Sequence, residues 1–405
     1  MIGDPRGLRK ADRVMVLAPH PDDESIATGG VLCRAAAHRA AIRVVFLTDG
    51  ENNPWAQRAC ERRWRIDASD QLRWGARRRN EALQALLRLG VHPRAAVFLE
   101  LPDQYLMERL LRDPRSLTRT IADEIEAWRP SVLFVPSLED RHPDHGATAI
   151  LARLWADGAP AAMTGLKVLS YTVHCPSRLA QSSRAAVHLR ALSLIERSRK
   201  REAILCHASQ LLWRRRSLLG FADVPESFAS RSMSRAAPAG DQALRLVATD
   251  QGSWTFAVTH LGRMMMSAPK LILIGQSDRR TFAVSFRLPL GSRWGILFDG
   301  TGLPMGEFAA RRTGAELRVA ITSSWLASVR LGFAKLDLIR ERRLGFFDPW
   351  PWLDLTPQLC GQRARVELEL EDKIAANGPG MESRSRKPRP RKSVTAARMS
   401  SIGAP

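Results

Sequence analysis

At 405 residues, with 45% hydrophobic and 25% charged residues, the chain has the composition of a folded globular protein, and it exceeds the size at which one core usually stops growing. Sixty-two Lys and Arg against 41 Asp and Glu give a formal charge of +21, which favours anionic partners but fixes none. No stretch approaches the roughly 18 apolar residues of a membrane span, no apolar leader follows Met1, and no nucleic-acid module with stacking aromatics is seen.

From Arg13 to about Trp155 short apolar runs alternate with longer amphipathic ones, as βαβ units do. Strands are expected at Val14–Ala18, Ile42–Leu47, Ala96–Leu99, Ser131–Val135 and Leu166–Val173. Helices are expected at Glu24–His38, Arg77–Leu89, Leu117–Trp128 and His145–Trp155, with a helical region over Ala185–Leu212. The expected fold is α/β, a Rossmann-like and mostly parallel sheet with flanking helices. The stretch Asn53–Trp74, with Trp55, Trp64 and Trp74 among arginines, reads as a lid or rim, or as a solvated helix with one aromatic face.

After Pro238 the periodicity shortens. Leu244–Ala248, Trp254–Val258, Leu271–Ile274, Phe282–Phe286, Leu317–Ile321 and Val366–Leu370 read as strands of a β-rich, sandwich-like region. The expected division is 1–238 as the catalytic domain, 239–372 as a β-rich accessory domain, and 373–405 as a disordered basic tail. Five cysteines without a CxxC pair suggest reduced thiols in a cytoplasmic protein, one that could touch anionic membrane through its tail.

Two strands end in chemistry. The first runs into Pro19-His20-Pro21-Asp22-Asp23-Glu24, and the fourth into Glu139-Asp140-Arg141-His142-Pro143-Asp144-His145. Ligands in open α/β sheets gather at the carboxyl ends of strands, so both clusters should share one edge. A lone His-Pro-Asp is commonly a turn, but two of them after buried strands suggest one metal site. His20, Asp23 and His145 supply the three protein ligands that catalytic zinc requires. Asp22 then suits the general base, His142 a cationic stabiliser of the oxyanion and donor to the leaving amine, and Asp144 a carboxylate that orients an imidazole. Fe(II) also suits such a donor set. Arg78, Arg79 and Arg141 are candidates for substrate hydroxyls or phosphate. His174 and His207 read as structural histidines near the cleft.

These segments resemble the PIG-L/LmbE-like zinc deacetylases, which include N-acetylglucosaminyl-phosphatidylinositol deacetylase and the sugar deacetylases of mycothiol and bacillithiol biosynthesis. Softer matches are Thr48-Asp49-Gly50-Glu51, Arg78-Arg79-Asn80-Glu81-Ala82, and the run from Lys200 to His207-Ala208-Ser209-Gln210. The resemblance spans roughly Arg13 to Gln210. It implies zinc on His20, Asp23 and His145, with Asp22 as base, and removal of an N-acetyl group from an amino sugar or glycoconjugate, which could be anionic or lipid-linked. The chain departs from relatives that carry a Tyr before the second motif, since Glu139-Asp140-Arg141 stands there. Two other readings are an amidase for a non-acetyl N-acyl glycopeptide or thiol conjugate, and a carbohydrate-binding protein with a vestigial site.

Overall fold

The computed structural model describes residues 8–174, 186–188, 191–230, 243–250, 252–260, 269–278, 280–289, 291, 293–338 and 347–360. The strand expected at Val366–Leu370 and the basic tail lie outside the described residues.

The first half is a seven-stranded sheet. β1 (Arg13–Ala18), β2 (Ala41–Thr48), β3 (Ala96–Leu101), β4 (Val132–Pro136) and β5 (Lys167–Tyr171) are parallel, and β6 (Ala186–His188) and β7 (Ser227–Ser230) close one side antiparallel, in the order β3-β2-β1-β4-β5-β7-β6. Val14 to Ala18 are fully buried, as a strand covered by helices on both faces must be. One side is closed by α1 (Asp23–Ala37), α3 (Ala68–Arg88) and α7 (Leu194–Cys206), with Val14, Val16, Ile26, Leu86 and Ile204 in a common core. The other is closed by α4 (Leu106–Arg112), α5 (Pro114–Trp128) and α6 (Pro143–Asp157), packed on Met15, Leu17, Leu133 and Val135. The chain order reverses between β1 and β4, so the loops after these two strands flank the crevice where such sheets hold ligands.

Three local expectations change. α3 begins at Ala68 rather than Arg77, because Asp67 and Asp70 form a capping box there, and Arg78–Ala82 therefore lies in mid-helix. Trp74 lies on the inward stripe with Arg78, Ala82 and Ala85 and is fully buried, so it is no part of a rim; Trp55 on α2 (Pro54–Glu61) and Trp64 are 50% and 75% exposed. The helical region after Ala185 contains the short strand β6, then breaks at His207 into α7 and α8 (Ala208–Gly220).

The second half is two antiparallel sheets. One, in the order β11-β10-β15-β16, comprises β10 (Lys270–Ser277), β11 (Thr281–Arg287), β15 (Val329–Asp337) and β16 (Leu353–Asp354). The other, in the order β12-β13-β14-β9-β8, comprises β8 (Leu244–Asp250), β9 (Ser253–Val258), β12 (Arg293–Phe298), β13 (Pro304–Thr313) and β14 (Glu316–Thr322). Leu271, Leu273 and Val284 face the five-stranded sheet and pack on Trp254, Phe256 and Val319. Ile272, Ile274, Leu331 and Phe333 face the opposite way, into the apolar layer built by Leu17, Ile121, Ile125 and Leu151. The four-stranded sheet is thus buried on both faces, which accounts for the unbroken apolar run Leu271–Ile274.

Candidate active site

β1 delivers His20 to Asp23 at its carboxyl end, and the backbone turns sharply there. Asp22 has φ 138°, a conformation that a side chain rarely adopts and that marks strain held by its surroundings. Those surroundings are specific. The Asp22 N–H donates to Glu24 Oε2 at 3.0 Å, and Glu24 Oε1 lies 3.0 Å from His207 Nε2. The turn sends the two adjacent carboxylates apart: Asp23 faces the histidines, whereas Asp22 lies 3.4 Å from Arg78 Nη2.

β4 delivers Asp140 to His145. His142 caps α6, its Nδ1 accepting the Asp144 N–H at 3.2 Å, which in a neutral ring leaves the proton on Nε2. Asp140 is buried and organises the loop: Oδ1 accepts from His142 N, and Oδ2 accepts from Val173 N and His174 N and lies 3.0 Å from His145 Nδ1.

The expected ligands converge. Asp23 Oδ2 lies 3.3 Å from His20 Nδ1 and 3.1 Å from His145 Nε2. The far nitrogen of each ring is tied to carboxylates, His145 Nδ1 to Asp140, and His20 Nε2 to Asp103 at 3.2 Å and Asp144 at 3.3 Å. His145 Nε2 is buried without a hydrogen bond. A histidine whose outer nitrogen is held by a carboxylate presents its inner lone pair as a metal ligand. Three overlapping groups of donors lie close enough together to hold a metal ion, His20 with His142 and His145, Asp23 with His145 and His174, and His20 with Asp103 and Asp144, and mixed imidazole and carboxylate donors of this kind suit a divalent cation of the zinc class.

The protonation pattern agrees with a cation-attracting cluster. Burial alone would lower the pKa of His145, but Asp140 and Asp23 outweigh it and lift it to about 10; Asp103, Asp144 and Asp23 likewise raise His20. Burial would raise Asp23, yet His145 and His20 hold it well below the carboxylate range. Asp22 differs from its neighbour: burial raises it to about 6, against the pull of Arg78. His142, read from the sequence as cationic, is pushed well below the imidazole range by burial and by the neighbouring His20, His145 and His174.

The three arginines are less available than the sequence suggested. Arg78 is buried and spent inside the protein, donating to Gly50 O at 3.0 Å and Pro21 O at 2.6 Å; it braces the two loops rather than facing solvent. Gly50, at φ 64°, is where the chain passes close to that guanidinium and leaves no room for a Cβ. Arg79 stays at the rim, paired with Asp49 and Glu100, and Arg141 Nε donates to Asp348 O at 2.6 Å. Asp103 and Asp140 were passed over in the sequence reading. Asp103 follows β3 as Asp23 follows β1, so its place after a strand end was a usable signal.

Residues 15–156 match the family described as PIG-L, GlcNAc-PI de-N-acetylase. The 1D-myo-inositol 2-acetamido-2-deoxy-alpha-D-glucopyranoside deacetylase of Mycobacteroides abscessus is 42% identical over 84 residues, covering 20% of this chain and 27% of that protein. The enzyme of that name from Rhodococcus jostii is 34% identical over 154 residues, covering 33% of this chain and 49% of its own length. The chain thus spans half or less of the length of these relatives. Among solved structures, N,N'-diacetylchitobiose deacetylase from Pyrococcus horikoshii aligns with a TM-score of 0.43 at 20% identity, covering 57% of this chain and 88% of its own. A conserved protein from Thermus thermophilus aligns at 0.41 and 22% identity, covering 57% and 100%.

Proposed function

We propose, from the match of residues 15–156 to the family described as PIG-L, GlcNAc-PI de-N-acetylase, that this chain is a metal-dependent hydrolase that removes an N-acetyl group from an amino sugar or a conjugate of one. The observation that carries the reading is the convergence of His20 and His145 on Asp23 with Asp22 turned aside, because it separates a ligand carboxylate from a basic one. His20, Asp23 and His145 would hold the cation, zinc or Fe(II), and when bound it would polarise the amide carbonyl and acidify water.

The remaining work falls to the chain. Asp22, with its pKa raised toward neutrality, takes the proton of the attacking water and can return it to the amine nitrogen as the C–N bond breaks. His142, fixed as the Nε2–H tautomer by its cap bond, donates to the carbonyl oxygen as that oxygen gains charge. Asp144 accepts from Gln104 N at 2.7 Å and from Leu106 N, the first residue of α4, at 3.3 Å while facing His20, and so ties the ligand ring to the start of α4.

Metal analysis of the purified chain together with acetate release from a panel of N-acetylated sugars tests the proposal. Stoichiometric zinc or iron with turnover of at least one member is the expected result, and a metal-free, inert protein would end it. Asp140→Asn is expected to weaken metal affinity by about 10- to 100-fold, the usual worth of a residue that orients a ligand. An amide cannot accept from both backbone N–H groups and the His145 ring on one oxygen-sized site without turning its own NH₂ toward the donors at the other. Competition with a chromophoric chelator measures this, and unchanged affinity would remove Asp140 from the scheme.

A further inference from the structure

The segment leading into β16 crosses from the β half to the second histidine loop. Asp348 N donates to Arg141 O at 2.7 Å, and Arg141 Nε returns a bond to Asp348 O at 2.6 Å. Trp352 N donates to Leu138 O at 3.2 Å, and the buried Lys335 of β15 pairs with the Asp348 carboxylate. Four such ties fix the strand of chain that carries Phe347. Its ring centroid lies 4.9 Å from that of His174 and 6.0 Å from that of His142, and the residue is 40% exposed. Phe347 is therefore an apolar ring held at the mouth of a cluster of imidazoles and carboxylates, half open to solvent. A phenylalanine has no polar atom to satisfy there, and its anchoring is better than a stray surface residue needs.

We propose that Phe347 is a substrate platform on which the apolar C–H face of the sugar bearing the acylated nitrogen stacks, so that the β half supplies one wall of the substrate site. The inference rests on the deacetylase reading for its substrate class. A flat ring matches the flat face of a pyranose and leaves the sugar's hydroxyl edge to water and polar groups. Because His142 borders both the ring and the proposed carbonyl position, a sugar on Phe347 would bring its 2-acetamido group toward the reacting groups.

Steady-state kinetics of the full chain and of Phe347→Ala, on N-acetylglucosamine and on N-acetylethanolamine, test this. Phe347→Ala should raise KM for the sugar about 10-fold, as loss of one apolar contact of this size does, and leave kcat and metal content near wild type. Phe347→Trp should restore KM, and the ringless amide should not distinguish the three proteins. A fall in kcat at constant KM, or an equal loss on both amides, would overturn the platform. Saturation-transfer NMR with N-acetylglucosamine separates this from the activity itself. If the wild-type chain releases no acetate but saturates the sugar's ring protons in a Phe347-dependent way, the platform stands and the reaction assignment falls. If the sugar shows no such transfer to either protein, the platform falls.

Discussion

Asp22→Asn is expected to retain its metal and to lose about 100- to 10,000-fold in turnover, the usual worth of a positioned general base. Asn keeps the volume of Asp and can accept from Arg78, but it cannot hold a proton at neutral pH. Asn has the same branching as Asp at this position, so the strained turn at φ 138° should survive the exchange. His20→Ala, Asp23→Ala and His145→Ala should behave differently. Each removes one of the three proposed ligands, and metal and activity should disappear together. Metal content measured beside rate on each purified variant separates the classes. An Asp22→Asn protein without metal, alongside an Asp23→Ala protein that keeps it, would reverse the roles of the two carboxylates.

Ending the chain after Pro238 is expected to yield a protein that aggregates or fails to fold. Ile272, Ile274, Leu331 and Phe333 are buried against Leu17, Ile121, Ile125 and Leu151, so the cut strips an apolar layer from beneath α5 and α6. Burying four such side chains is worth on the order of 10 kcal/mol, comparable to the whole net stability of a typical domain. The cut also removes the bonds from Asp348 and Trp352 to the loop that carries His142. Size-exclusion chromatography and near-UV circular dichroism give the answer. A monomeric, metal-loaded and active 1–238 fragment would show that the α/β half stands alone.

The parallel sheet was legible because β1 and β4 carry continuous apolar runs and β2 carries Val44–Leu47, each closed by a turn. The donor residues were legible for a related reason: His20, Asp23, His142 and His145 follow two of those runs within a few positions. Asp103 was passed over although its place after β3 is of the same kind, and His174 was read only as a structural ring near the cleft. Phe347 was harder, because it reaches the crevice through the return of the chain from β15, which no local spacing records. The β half was read where apolar residues are consecutive or alternate over a short run, as in Leu271–Ile274 and Leu317–Ile321. β12 and β13 escaped because Gly295, Gly306 and exposed Arg311 and Arg312 interrupt the alternation, whereas pairing across the sheet, Trp294 with Ala309 and Ile296 with Glu307, holds them in register. The setting that governs the charge on His142 is one that sequence cannot carry, because three other imidazoles surround it.

Gly146 lies one turn into α6, its N–H bonded to His142 O at 3.0 Å, and a Cβ there would stand 2.6 Å from the indole nitrogen of Trp352. A single added carbon has two ways to be accommodated. The indole can retreat, loosening the chain that carries Phe347, or the helix can recoil, shifting the first turn that bears His142 and His145. In both cases a residue with no functional group sets the tolerance of the catalytic geometry, and directed evolution of this scaffold would meet a constraint at a position that never touches a substrate.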